Sequence, residues 1–565
     1  MTVSCKLMSY KLAVSLIIFL VVLSGVIYLV LLPNPISDIQ TQTSTETLNT
    51  LPFAQTQTSQ RLIEIQTDGS IFDSDPVTPL KRSGNVYTFS GDINGHIDIQ
   101  KSGITLDGAG YTLRRADTQE LWRNFRHGLG IPQGVDGVTV KNIQIADYWN
   151  AINLAGSNSI VTNITITRCT ATDISGILVS GSNNIIQNCH IVGNSGNGIH
   201  VEGSNNAILD NIIADNGRWG IFFHNAPIKL RSNILNNNYE PFCLYEYNKD
   251  ASGQPVKIKS NYIDSTNLVE GKPVYYWVNE QDKTVPSNAG YVVLDNCKNI
   301  VVENLEINWS SLNKVSTLPD YVIRISNSDN IVVKNNFLTQ TDIWCASSNQ
   351  NVLICNNNLT IGSIYSAGFG TSILGNSIFQ SKKIAITVAT VAEAVVAQNV
   401  LINCDTGISL NHCALTSVMN NTLKECRWGI YLYNANDNTI TQNNFIDNVQ
   451  HAGEDHYVWP FTAYYLSVNT TWDRNYWSTY TGIDADGDGI GDTPYVVFEN
   501  ITDYYPLMTM IDLPDVSVPL SDPSEIFFKY STVAVLVLIV GVGVGTIVSL
   551  FYFKKKQNKQ ETPNP

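Results

Sequence analysis

The stretch GILVSGSNNIIQNCHIVGNSGNGIHVEGSNNAILDNIIADNGRWGIFFHNA, at residues 176–226, repeats itself. Its Gly-Ile pairs begin at Gly176, Gly198 and Gly220, so that successive pairs are 22 residues apart. The same spacing returns downstream, between the pairs that begin at Gly407 and Gly429. Self-similarity at a fixed period of this length is typical of repeat architectures, in which each unit packs on its neighbours.

Each unit contains short runs rich in Ile and Val, such as Ile185-Ile186 and Ile191-Val192, with Asn, Gly, Ser and Asp between them. Short alternating apolar runs predict strands, and the residues between them predict turns. Units this short bury no core alone, so they must stack. We therefore predict an all-β chain, a right-handed parallel β-helix with coils of about 22 residues stacked about 4.8 Å apart.

The β-helix domain is expected to span residues 61–507, with stacked coils from about Tyr87 to Trp477, roughly 17 of them at this repeat length. Residues 268–289, LVEGKPVYYWVNEQDKTVPSNA, are too polar and irregular for a coil, and we expect an insertion that projects as a loop or hairpin. The Asn runs at 236–238 and 356–358 are expected to form stacked ladders in the turns, since Asn tolerates left-handed backbone.

Two apolar runs flank this body. Residues 12–32 follow Lys6 and Lys11 and are longer than the core of a cleaved signal, which predicts a signal-anchor helix. Residues 532–553 are followed by three lysines, which predicts a second transmembrane helix. Under the positive-inside rule, residues 1–11 and 554–565 are cytoplasmic if the first segment is not cleaved, and the body is extracytoplasmic. Residues 33–60 and 508–531 are expected to be stalks.

The composition excludes some partners and leaves others open. A net charge of −15 repels nucleic acid backbones and suits cation binding. The ten cysteines contain no CxxC pair and no Cys/His cluster at zinc spacing. Cys404 and Cys426 lie one repeat apart, and are interpreted either as stacked interior residues or as a disulfide.

The sequence DADGDGIGD, at residues 484–492, predicts a calcium site. Its carboxylates occupy positions 1, 3, 5 and 9 of an EF-hand-type loop, Gly489 occupies position 6, and Ile490 offers a backbone carbonyl at position 7. The expected ligands are Asp484, Asp486, Asp488, Ile490 and Asp492. Tyr495 stands where an EF-hand has its bidentate Glu, so that closing the site would need Asp473, Asp503 or another carboxylate.

The residues around this loop predict how the solenoid ends. Aromatic side chains precede and follow the loop: Trp472, Tyr476, Trp477, Tyr480, Tyr495 and Tyr505. We expect them to cover the open end of the β-helix, with calcium holding the loop over them.

Polar residues at two places are candidates for catalysis, which would need paired carboxylates or a base with a neutralising cation. One set is Asp215, Arg218 and His224, and the other is Glu454, Asp455 and His456. The alternative interpretation of each set is polar residues at a coil edge. Trp149, Trp219, Trp309, Trp344 and Trp428 are candidate surfaces for stacking on glycans.

Six N-x-S/T sequons are candidates for glycosylation in an exported protein, and they begin at Asn163, Asn308, Asn358, Asn420, Asn469 and Asn500.

Three stretches carry a resemblance to a known family: DINGHIDIQKSGITLDGAGYTL at 92–113, the GKPVYY segment at 271–307, and NYWSTYTGIDADGDGIGDTPY at 475–495 followed by DYYPL. They resemble archaeal NosD-like proteins. The resemblance implies right-handed β-helix repeats related to the carbohydrate-binding and sugar-hydrolase class. The family name also implies periplasmic copper binding, with a role in nitrous oxide reductase maturation.

Copper binding is not what the residues themselves predict. Copper favours thiol, thioether and imidazole ligands. The exported body has few methionines, Met419, Met508 and Met510, and no buried His-x-His or Met-x-Met cluster.

We expect a membrane-anchored surface protein, non-catalytic and stabilised by calcium, that serves adhesion, envelope structure or the binding of a polysaccharide or cell-surface glycan. The second hypothesis is a polysaccharide lyase, epimerase or hydrolase, and the third is a copper-related maturation factor. The membrane is an expected partner and nucleic acid is not.

Overall fold

The computed structural model describes residues 61–115, 127–170, 175–224, 227–245, 261–309, 321–390, 393–454, 467, 469–498 and 501–512. These residues form 51 β-strands and no helix. Most strands pair in parallel with strands about one repeat away: Ile177 lies beside Ile199, and Ile199 beside Ile221. Ile408 likewise lies beside Ile430. The predicted parallel β-helix and its 22-residue register are confirmed.

Each coil contributes strands to up to three sides of the solenoid, which we call faces 1, 2 and 3. Among the described strands, parallel pairing along each face is interrupted once, between the strands that end by residue 269 and those that begin at residue 272 or later. Face 1 contains seventeen of the described strands: Arg61–Ile65, Ile93–Ile99, His127–Ile131, Asn150–Leu154, Ser175–Val179, Asn197–Val201, Trp219–His224, Glu240–Tyr245, Lys272–Val278, Tyr291–Asp295, Tyr321–Ser326, Asp342–Cys345, Ile364–Ser366, Ile384–Ala389, Thr406–Asn411, Trp428–Tyr433 and Gln450–Glu454. The stack starts before Tyr87, because Arg61–Ile65 already pairs in parallel with residues 95–99.

Face 2 contains strands Val86–Phe89, Thr105–Asp107, Thr139–Ala146, Ile160–Thr167, Ile185–Gln187, Asn206–Leu209, Ile228–Arg231, Tyr262–Ile263, Gln281–Val285, Lys298–Glu303, Asp329–Lys334, Gln350–Cys355, Ser372–Leu374, Val395–Ala397, Ser417–Met419, Thr439–Thr441 and Thr471–Asp473. Two of them, Thr139–Ala146 and Ile160–Thr167, continue around the corner into face 3.

Face 3 contains strands Thr112–Arg114, His190–Val192, Ile212–Ala214, Ile234–Asn236, Leu268–Val269, Glu306–Asn308, Phe337–Thr339, Asn358–Thr360, Ser377–Phe379, Val400–Ile402, Thr422–Lys424, Asn444–Ile446 and Tyr476–Trp477. Three antiparallel pairs lie at the two ends: Ile71–Asp73 with Arg61–Ile65, Leu80–Ser83 with Val86–Phe89, and Tyr495–Phe498 with Ile501–Asp503. A fourth lies within the solenoid, where Leu268–Val269 pairs with Lys272–Val278.

The core is a stack of Ile, Val and Leu side chains that point inward from the three faces. Ile177, Ile199 and Ile221 are fully buried and lie one above another on face 1. Burying such a side chain contributes roughly 1.5–3 kcal/mol relative to leaving it in water. Since neighbouring residues of a strand point to opposite sides, the residues between these apolar positions face outward and are free to carry other functions.

Buried asparagines form ladders along the turns between faces. The longest described ladder contains Asn336, Asn357, Asn376, Asn399, Asn421, Asn443 and Asn475. At each step the amide group of one Asn donates to the side-chain oxygen of the next, as Asn399 does to Asn421 at 2.9 Å. The same amide group donates to a backbone carbonyl of the preceding coil. The ladder satisfies polar groups that would otherwise be buried without partners.

The predicted ladders are confirmed for one residue of each Asn run. Asn357 belongs to the long ladder, and Asn238 continues a ladder from Asn194 and Asn216. The adjacent Asn237 and Asn356 instead have positive φ, which turns the chain at the coil corner.

Residues 268–289 begin with a short antiparallel hairpin, in which Leu268–Val269 pairs with residues 272–273, but the expectation that the whole segment projects from the solenoid is wrong. Lys272–Val278 pairs in parallel with Tyr291–Asp295, and Gln281–Val285 pairs in parallel with Lys298–Glu303. Val274 and Val285 are buried, whereas four residues at 281–284 are exposed. A strand with one face exposed to solvent needs apolar residues on its other face alone, so a segment this polar still forms a coil.

Four of the aromatic residues named above close one end of the solenoid, as predicted: Trp472, Trp477, Tyr480 and Tyr495. Tyr505 is instead exposed. Phe445 stacks on Trp477 with ring centroids 4.3 Å apart, and Trp477 stacks on Tyr495 at 4.6 Å. Trp472 packs at 5.9 Å from Trp477. Asp503, which is fully buried, accepts hydrogen bonds from the indole of Trp477 and from the backbone and side chain of Asn475. It therefore occupies the place of the next ladder residue.

The two apolar runs at 12–32 and 532–553, the basic tails, the stalk at 33–60 and residues 513–531 of the second stalk lie outside the described residues. The first residues of the second stalk, 508–512, are described, and Met508 and Ile511 make hydrogen bonds with Gly489 and Asn444, so the stalk does not begin at residue 508. The part of the chain that the structure describes contains no helix with the length and apolar character that a membrane span requires. Eight cysteines with described side chains are buried free thiols: Cys169, Cys189, Cys297, Cys345, Cys355, Cys404, Cys413 and Cys426. Cys404 and Cys426 are stacked interior residues here.

Candidate functional site

An outward column of side chains on face 1 carries an aromatic stack. Trp344 lies between the inward residues Ile343 and Cys345, so its indole faces outward. In register with it are Arg324 on the preceding coil and Tyr365 on the next. The rings of Trp344 and Tyr365 are stacked, with centroids 6.5 Å apart and planes 12° apart.

Arg324 and Tyr321 extend this stack. The guanidinium of Arg324 lies 5.2 Å from the ring centroid of Trp344 and 5.8 Å from that of Tyr321. Tyr321 and Trp344 are themselves 5.8 Å apart, in a tilted arrangement. Cation–π contacts of this kind hold aromatic faces in a defined orientation. The result is a half-buried platform of three rings and one positive charge, which we call the face 1 platform.

A buried carboxylate lies beside the platform. Asp342 pairs with Tyr321 across the coils and is 2% exposed. It accepts a hydrogen bond from Ser363 at 2.7 Å and forms an ion pair with Lys383 at 3.2 Å. Burial raises the pKa of the Tyr321 hydroxyl, and the charge of Asp342 adds to the shift. Tyr321 is therefore a neutral hydrogen-bonding group at physiological pH.

A second aromatic pair lies further along the same column. Tyr365 is followed by Thr387, Ser409 and Tyr431, each one coil further. Trp428 packs against Tyr431 with ring centroids 5.3 Å apart. Three coil steps separate Tyr365 from Tyr431, about 14 Å along the solenoid. Two small hydroxyl side chains thus lie between the two aromatic pairs on this column, Thr387 half-buried and Ser409 buried.

The aspartate loop is a second candidate site. The carboxylate oxygens of Asp484, Asp486 and Asp488 lie within 4.8 Å of one another, so three of the five predicted ligands converge. Asp484 accepts hydrogen bonds from the amides of Gly487 at 2.7 Å and Gly489 at 2.9 Å. These bonds lower its pKa, with the Gly489 amide contributing most.

The other predicted ligands of this loop have additional contacts. Asp492 accepts a hydrogen bond from the amide of Ala485 at 2.7 Å and so ties the two ends of the loop together. The amide of Ile490 donates to Asp488 at 2.8 Å. Asp503 does not close the loop, because its carboxylate is engaged inside the cap by Trp477 and Asn475.

The loop is joined to the cap through residues 506–508. The amide of Met508 donates to the carbonyl of Gly489, and the amide of Gly491 donates to the carbonyl of Pro506. Leu507 then donates to the carbonyl of Asn475 at the end of the ladder. Tyr495 packs on Trp477 instead of reaching the acidic group. Anything that rigidifies the loop therefore acts on the closure of the solenoid.

Comparison with protein families gives two matches. Residues 88–263 match the family described as right handed beta helix region, and residues 256–482 match the one described as periplasmic copper-binding protein (NosD). Both matches fall on the stacked coils. The chain is a NosD-like right-handed β-helix protein.

Solved structures similar to this NosD-like protein include tailspike protein 3 of bacteriophage CBA120, at 9% identity and a TM-score of 0.22. That match covers 72% of this chain and 57% of the tailspike. The tailspike of Escherichia coli bacteriophage HK620 in complex with a pentasaccharide is 10% identical, with 60% and 68% covered and a TM-score of 0.27.

The A-module of the Azotobacter vinelandii mannuronan C-5 epimerase is 12% identical, with 67% of this chain and 91% of that module covered and a TM-score of 0.21. Values this low say nothing about what the NosD-like chain binds. None of the curated proteins matches the chain.

The donor groups that converge within the described part of this NosD-like protein do not fit copper. Within the described residues, the acidic triad at 484–488 is the group of His, Cys, Asp or Glu side chains that converge closely enough to hold a metal ion. Its ligands are hard oxygens, which suit Ca²⁺ or Mg²⁺, whereas copper sites use sulfur and imidazole. These oxygen ligands therefore do not support copper binding at the loop.

Of the catalytic candidates, the structure describes the side-chain contacts of Asp215, Arg218 and Glu454. Asp215 lies at a coil corner with positive φ and contacts the side chain of Asn237. Arg218 lies over the ring of Trp219. Strand Trp219–His224 ends at His224. Glu454 accepts a hydrogen bond from the amide of Ser467. Asp455 and His456 lie outside the described residues.

The sequons differ in exposure. Asn163, Asn308 and Asn469 are exposed, Asn358 and Asn420 are half-buried, and Asn500 lies outside the described residues. The side chains of Asn163 and Asn469 donate hydrogen bonds to Asn142 and Asp437, respectively.

The sequence analysis named Trp344 but missed its partners Tyr321, Arg324 and Tyr365. The 21-residue spacing of Trp344 and Tyr365 was a usable signal, because residues one coil apart share a column. Of the other tryptophans, Trp309 is buried, and Trp219 and Trp428 pack at coil corners on Phe222 and Tyr431.

Proposed function

We propose that this protein binds glycans along face 1, without cleaving them, as a surface protein displayed outside the cytoplasm. The observation that carries the proposal is the face 1 platform of Tyr321, Arg324, Trp344 and Tyr365. Sugar rings present apolar C–H faces and polar edges. A protein surface with a few rigid aromatic rings beside polar groups can contact both the apolar faces and the polar edges of the sugars.

The dimensions of face 1 support an extended ligand. The platform and the Trp428–Tyr431 pair lie on one straight column, with Thr387 and Ser409 between them. A spacing of about 14 Å accommodates a chain of several sugar units more readily than a single monosaccharide. The coils hold this surface rigid before a ligand arrives, and this reduces the entropic cost of binding.

The location outside the cytoplasm follows from the basic flanks of the two apolar runs. The matched family, which is described as periplasmic, agrees with it. In this proposal both runs are membrane anchors, and the glycan surface is carried between them.

Replacing Trp344 by Ala tests the glycan surface. Trp344→Ala removes the central ring of the platform and should weaken the binding of an oligosaccharide by about tenfold or more, equivalent to about 1.4 kcal/mol. The measurement is a glycan array with the purified full chain, followed by calorimetric titration of the best ligand. Phe337→Ala is the matched control, since Phe337 is an exposed aromatic residue of the same coil on face 3. Equal loss in both variants, or no binding by the native chain, would refute the proposal.

A glycan-active enzyme is the second candidate, favoured by the Asp342–Lys383 ion pair and the Tyr321 hydroxyl beside the platform. A carboxylate, a cation and a proton donor are the groups that lyase or hydrolase chemistry uses. Incubation with a panel of uronate polysaccharides distinguishes the two functions. Unsaturated or shortened products that disappear in Asp342→Asn would establish the enzyme, and binding without turnover supports the first proposal.

We also propose that Ca²⁺ binds the aspartate loop and stabilises the cap. The native chain should melt at a higher temperature in millimolar Ca²⁺ than in EDTA, because the ion screens three converging carboxylates. Asp486→Ala should abolish this difference. It leaves the loop bonds of Asp484 intact, so the variant should melt as the native chain does in EDTA. Identical melting of the native chain in Ca²⁺ and in EDTA would contradict the site.

A further inference from the structure

A histidine side chain lies within the aromatic cap of the solenoid. His451 belongs to Gln450–Glu454, the last of the face 1 strands named above, and it is 8% exposed. Its ring contacts Phe445 and Trp477 edge-on, with ring centroids 6.1 Å and 5.8 Å away. These two rings stack on each other and close the end of the core. A change that displaces the imidazole of His451 therefore disturbs the closure itself.

The side chain of Asn448 fixes which nitrogen of this imidazole carries the proton. Its oxygen accepts a hydrogen bond from the backbone amide of Cys426 at 2.9 Å, and its amide group donates to the carbonyl of Leu423 at 2.9 Å. A flipped side chain would set N–H against N–H and C=O against C=O, so the orientation of the amide is determined. The same amide group lies 3.3 Å from Nδ1 of His451. It must donate there, and Nδ1 is therefore the accepting nitrogen without a proton.

The other ring nitrogen, Nε2, carries the proton of the neutral ring. This nitrogen is buried and makes no hydrogen bond within the part of the chain that the structure describes. Burial lowers the pKa of His451, and the negative charge of Asp447 opposes this shift. These surroundings favour a neutral imidazole, because a buried imidazolium needs an acceptor for each of its two N–H groups.

A second proton on His451 is incompatible with the position of Asn448. It would be added to Nδ1 and would set an N–H group against the donating amide of Asn448. Asn448 has no free rotation with which to answer, since turning its oxygen toward the ring would break its bonds with Cys426 and Leu423. The imidazolium would also be a charge buried between two aromatic rings. The ring must then leave its place, and the cap must open to release it.

We infer that protonation of His451 opens the aromatic cap, so that this end of the solenoid is closed at neutral pH and opens in mild acid. The device is local, because a solenoid can open from one end while its other coils remain folded. The inference depends neither on the glycan proposal, which concerns the outside of face 1, nor on calcium at the aspartate loop.

The pH range follows from the direction of the shift. An exposed imidazole has a pKa of about 6.5, and the pKa of His451 in the closed cap lies below that value. The stabilisation is therefore complete above about pH 6.5 and is lost as the pH falls through the pKa of the closed form. Between the two pKa values, the equilibrium constant for opening should rise by about tenfold for each pH unit.

Other titratable groups near the cap act differently. Burial raises the pKa of Asp473, so that acid stabilises the closed form through this carboxyl group, with the opposite sign. Measurements between pH 5 and pH 7 lie above the range in which ordinary carboxylates titrate. The remaining described groups of this kind, on the elements packed around His451, are Glu454 on its own strand, Cys426 and Arg427 on the preceding coil, and Asp503 beyond Trp477.

Hydrogen exchange of the purified full chain tests the inference. Protection factors remove the intrinsic pH dependence of exchange, and EDTA keeps the release of bound cations from contributing. Between pH 7 and pH 5, the protection of amides at 445–452 and 471–477 should fall at least tenfold, and that of amides near Ile177 should stay constant. If the protection at the cap does not depend on pH, or falls equally along the whole solenoid, the inference is wrong.

His451→Asn separates titration from stability. The asparagine oxygen can accept from Asn448 near the position of Nδ1, but it does not titrate. The variant should show the same protection factors at pH 5 and pH 7, whatever their absolute size, so a less stable cap leaves the test valid. His412→Asn is the matched control, because His412 is an exposed histidine whose ring packs on Tyr433 at 4.8 Å. A pH dependence that persists in His451→Asn, or disappears in His412→Asn, would overturn the inference.

The ring nitrogens give a second, direct measurement. In the full chain with ¹⁵N-labelled histidine, the signals that are missing from His451→Asn identify this ring. At pH 7 they should show a proton on Nε2 and none on Nδ1, and Nδ1 should gain its proton over the same pH range in which the cap opens. A proton on Nδ1 at neutral pH, or protonation without opening, would refute the device.

Discussion

Asp503→Ala should open the end of the solenoid. The Asp503 carboxylate accepts hydrogen bonds from the backbone amide of Asn475 at 2.9 Å, from its side-chain amide at 3.2 Å and from the indole of Trp477 at 3.1 Å. Alanine leaves these donors buried with fewer acceptors, and an unsatisfied buried donor costs about 1–3 kcal/mol. The expected loss in cap stability is about 3 kcal/mol or more.

Hydrogen exchange measured residue by residue is the suitable readout, because a solenoid can unfold locally from one end. Amides of residues 471–477 should lose protection in Asp503→Ala, while those near Ile177 should not change. Asp512→Ala is the control, since Asp512 is an exposed carboxylate of the same terminal segment. Protection that is unchanged near Trp477 would show that the carboxylate is not what closes the ladder.

Asn399→Ala should break the long ladder in its middle. Asn399 donates to Asn421 at 2.9 Å and to the carbonyl of Ile373 at 2.9 Å, and its side-chain oxygen accepts from both amide groups of Asn376. All these groups are buried, so that truncation removes partners on three coils at once. We expect a loss of about 3 kcal/mol or more and a melting temperature lower by several degrees.

Asn403→Gly is the matched control for Asn399→Ala. Asn403 is an exposed corner residue with a φ of 55°, a conformation that Gly adopts without strain. Its amide donates to the carbonyl of Lys424, a backbone contact that Gly preserves. A melting temperature near the native value is therefore expected for the control. Equal destabilisation by both substitutions would mean that the ladder contributes nothing beyond turn geometry.

The variants at Asn399, Asp503 and Asp486 test three different parts of the structure. Asn399 acts in the stack, Asp503 at its end, and Asp486 in the loop tied over that end. A Ca²⁺-dependent change in the protection of residues 471–477 that is absent in Asp486→Ala would connect the loop to the cap. A Ca²⁺ effect spread evenly over the solenoid would argue against that connection.

Much of the architecture was predictable from the sequence alone, because the repeat is a local property. The 22-residue spacing of Gly176, Gly198 and Gly220 reports the coil length directly, and the Ile next to each Gly reports the inward position. The acidic triad was predictable for the same reason, since its residues lie within five positions of one another. Asn and aromatic patterns likewise predicted a ladder and a cap.

Properties that depend on which coils become neighbours needed the tertiary structure. Composition suggested that residues 268–289 project, but parallel pairing places them in the stack, where one wet side tolerates polar residues. The sequence made Asp503 a candidate ligand of the loop, but the fold buries its carboxylate, which accepts a hydrogen bond from the indole of Trp477. Tyr321, Arg324, Trp344 and Tyr365 lie on three different coils, and only the register between coils aligns them.

The sequence by itself determined the period, the inward side of each strand and the aspartate loop, because these depend on neighbours along the chain. The tertiary structure decided which outward residues share a column and so created the face 1 platform. The physical reason is the stacking distance: residues about 4.8 Å apart in space are separated by a whole coil in the sequence. Small changes in coil length, such as the 21 residues from Trp344 to Tyr365, decide which side chains meet.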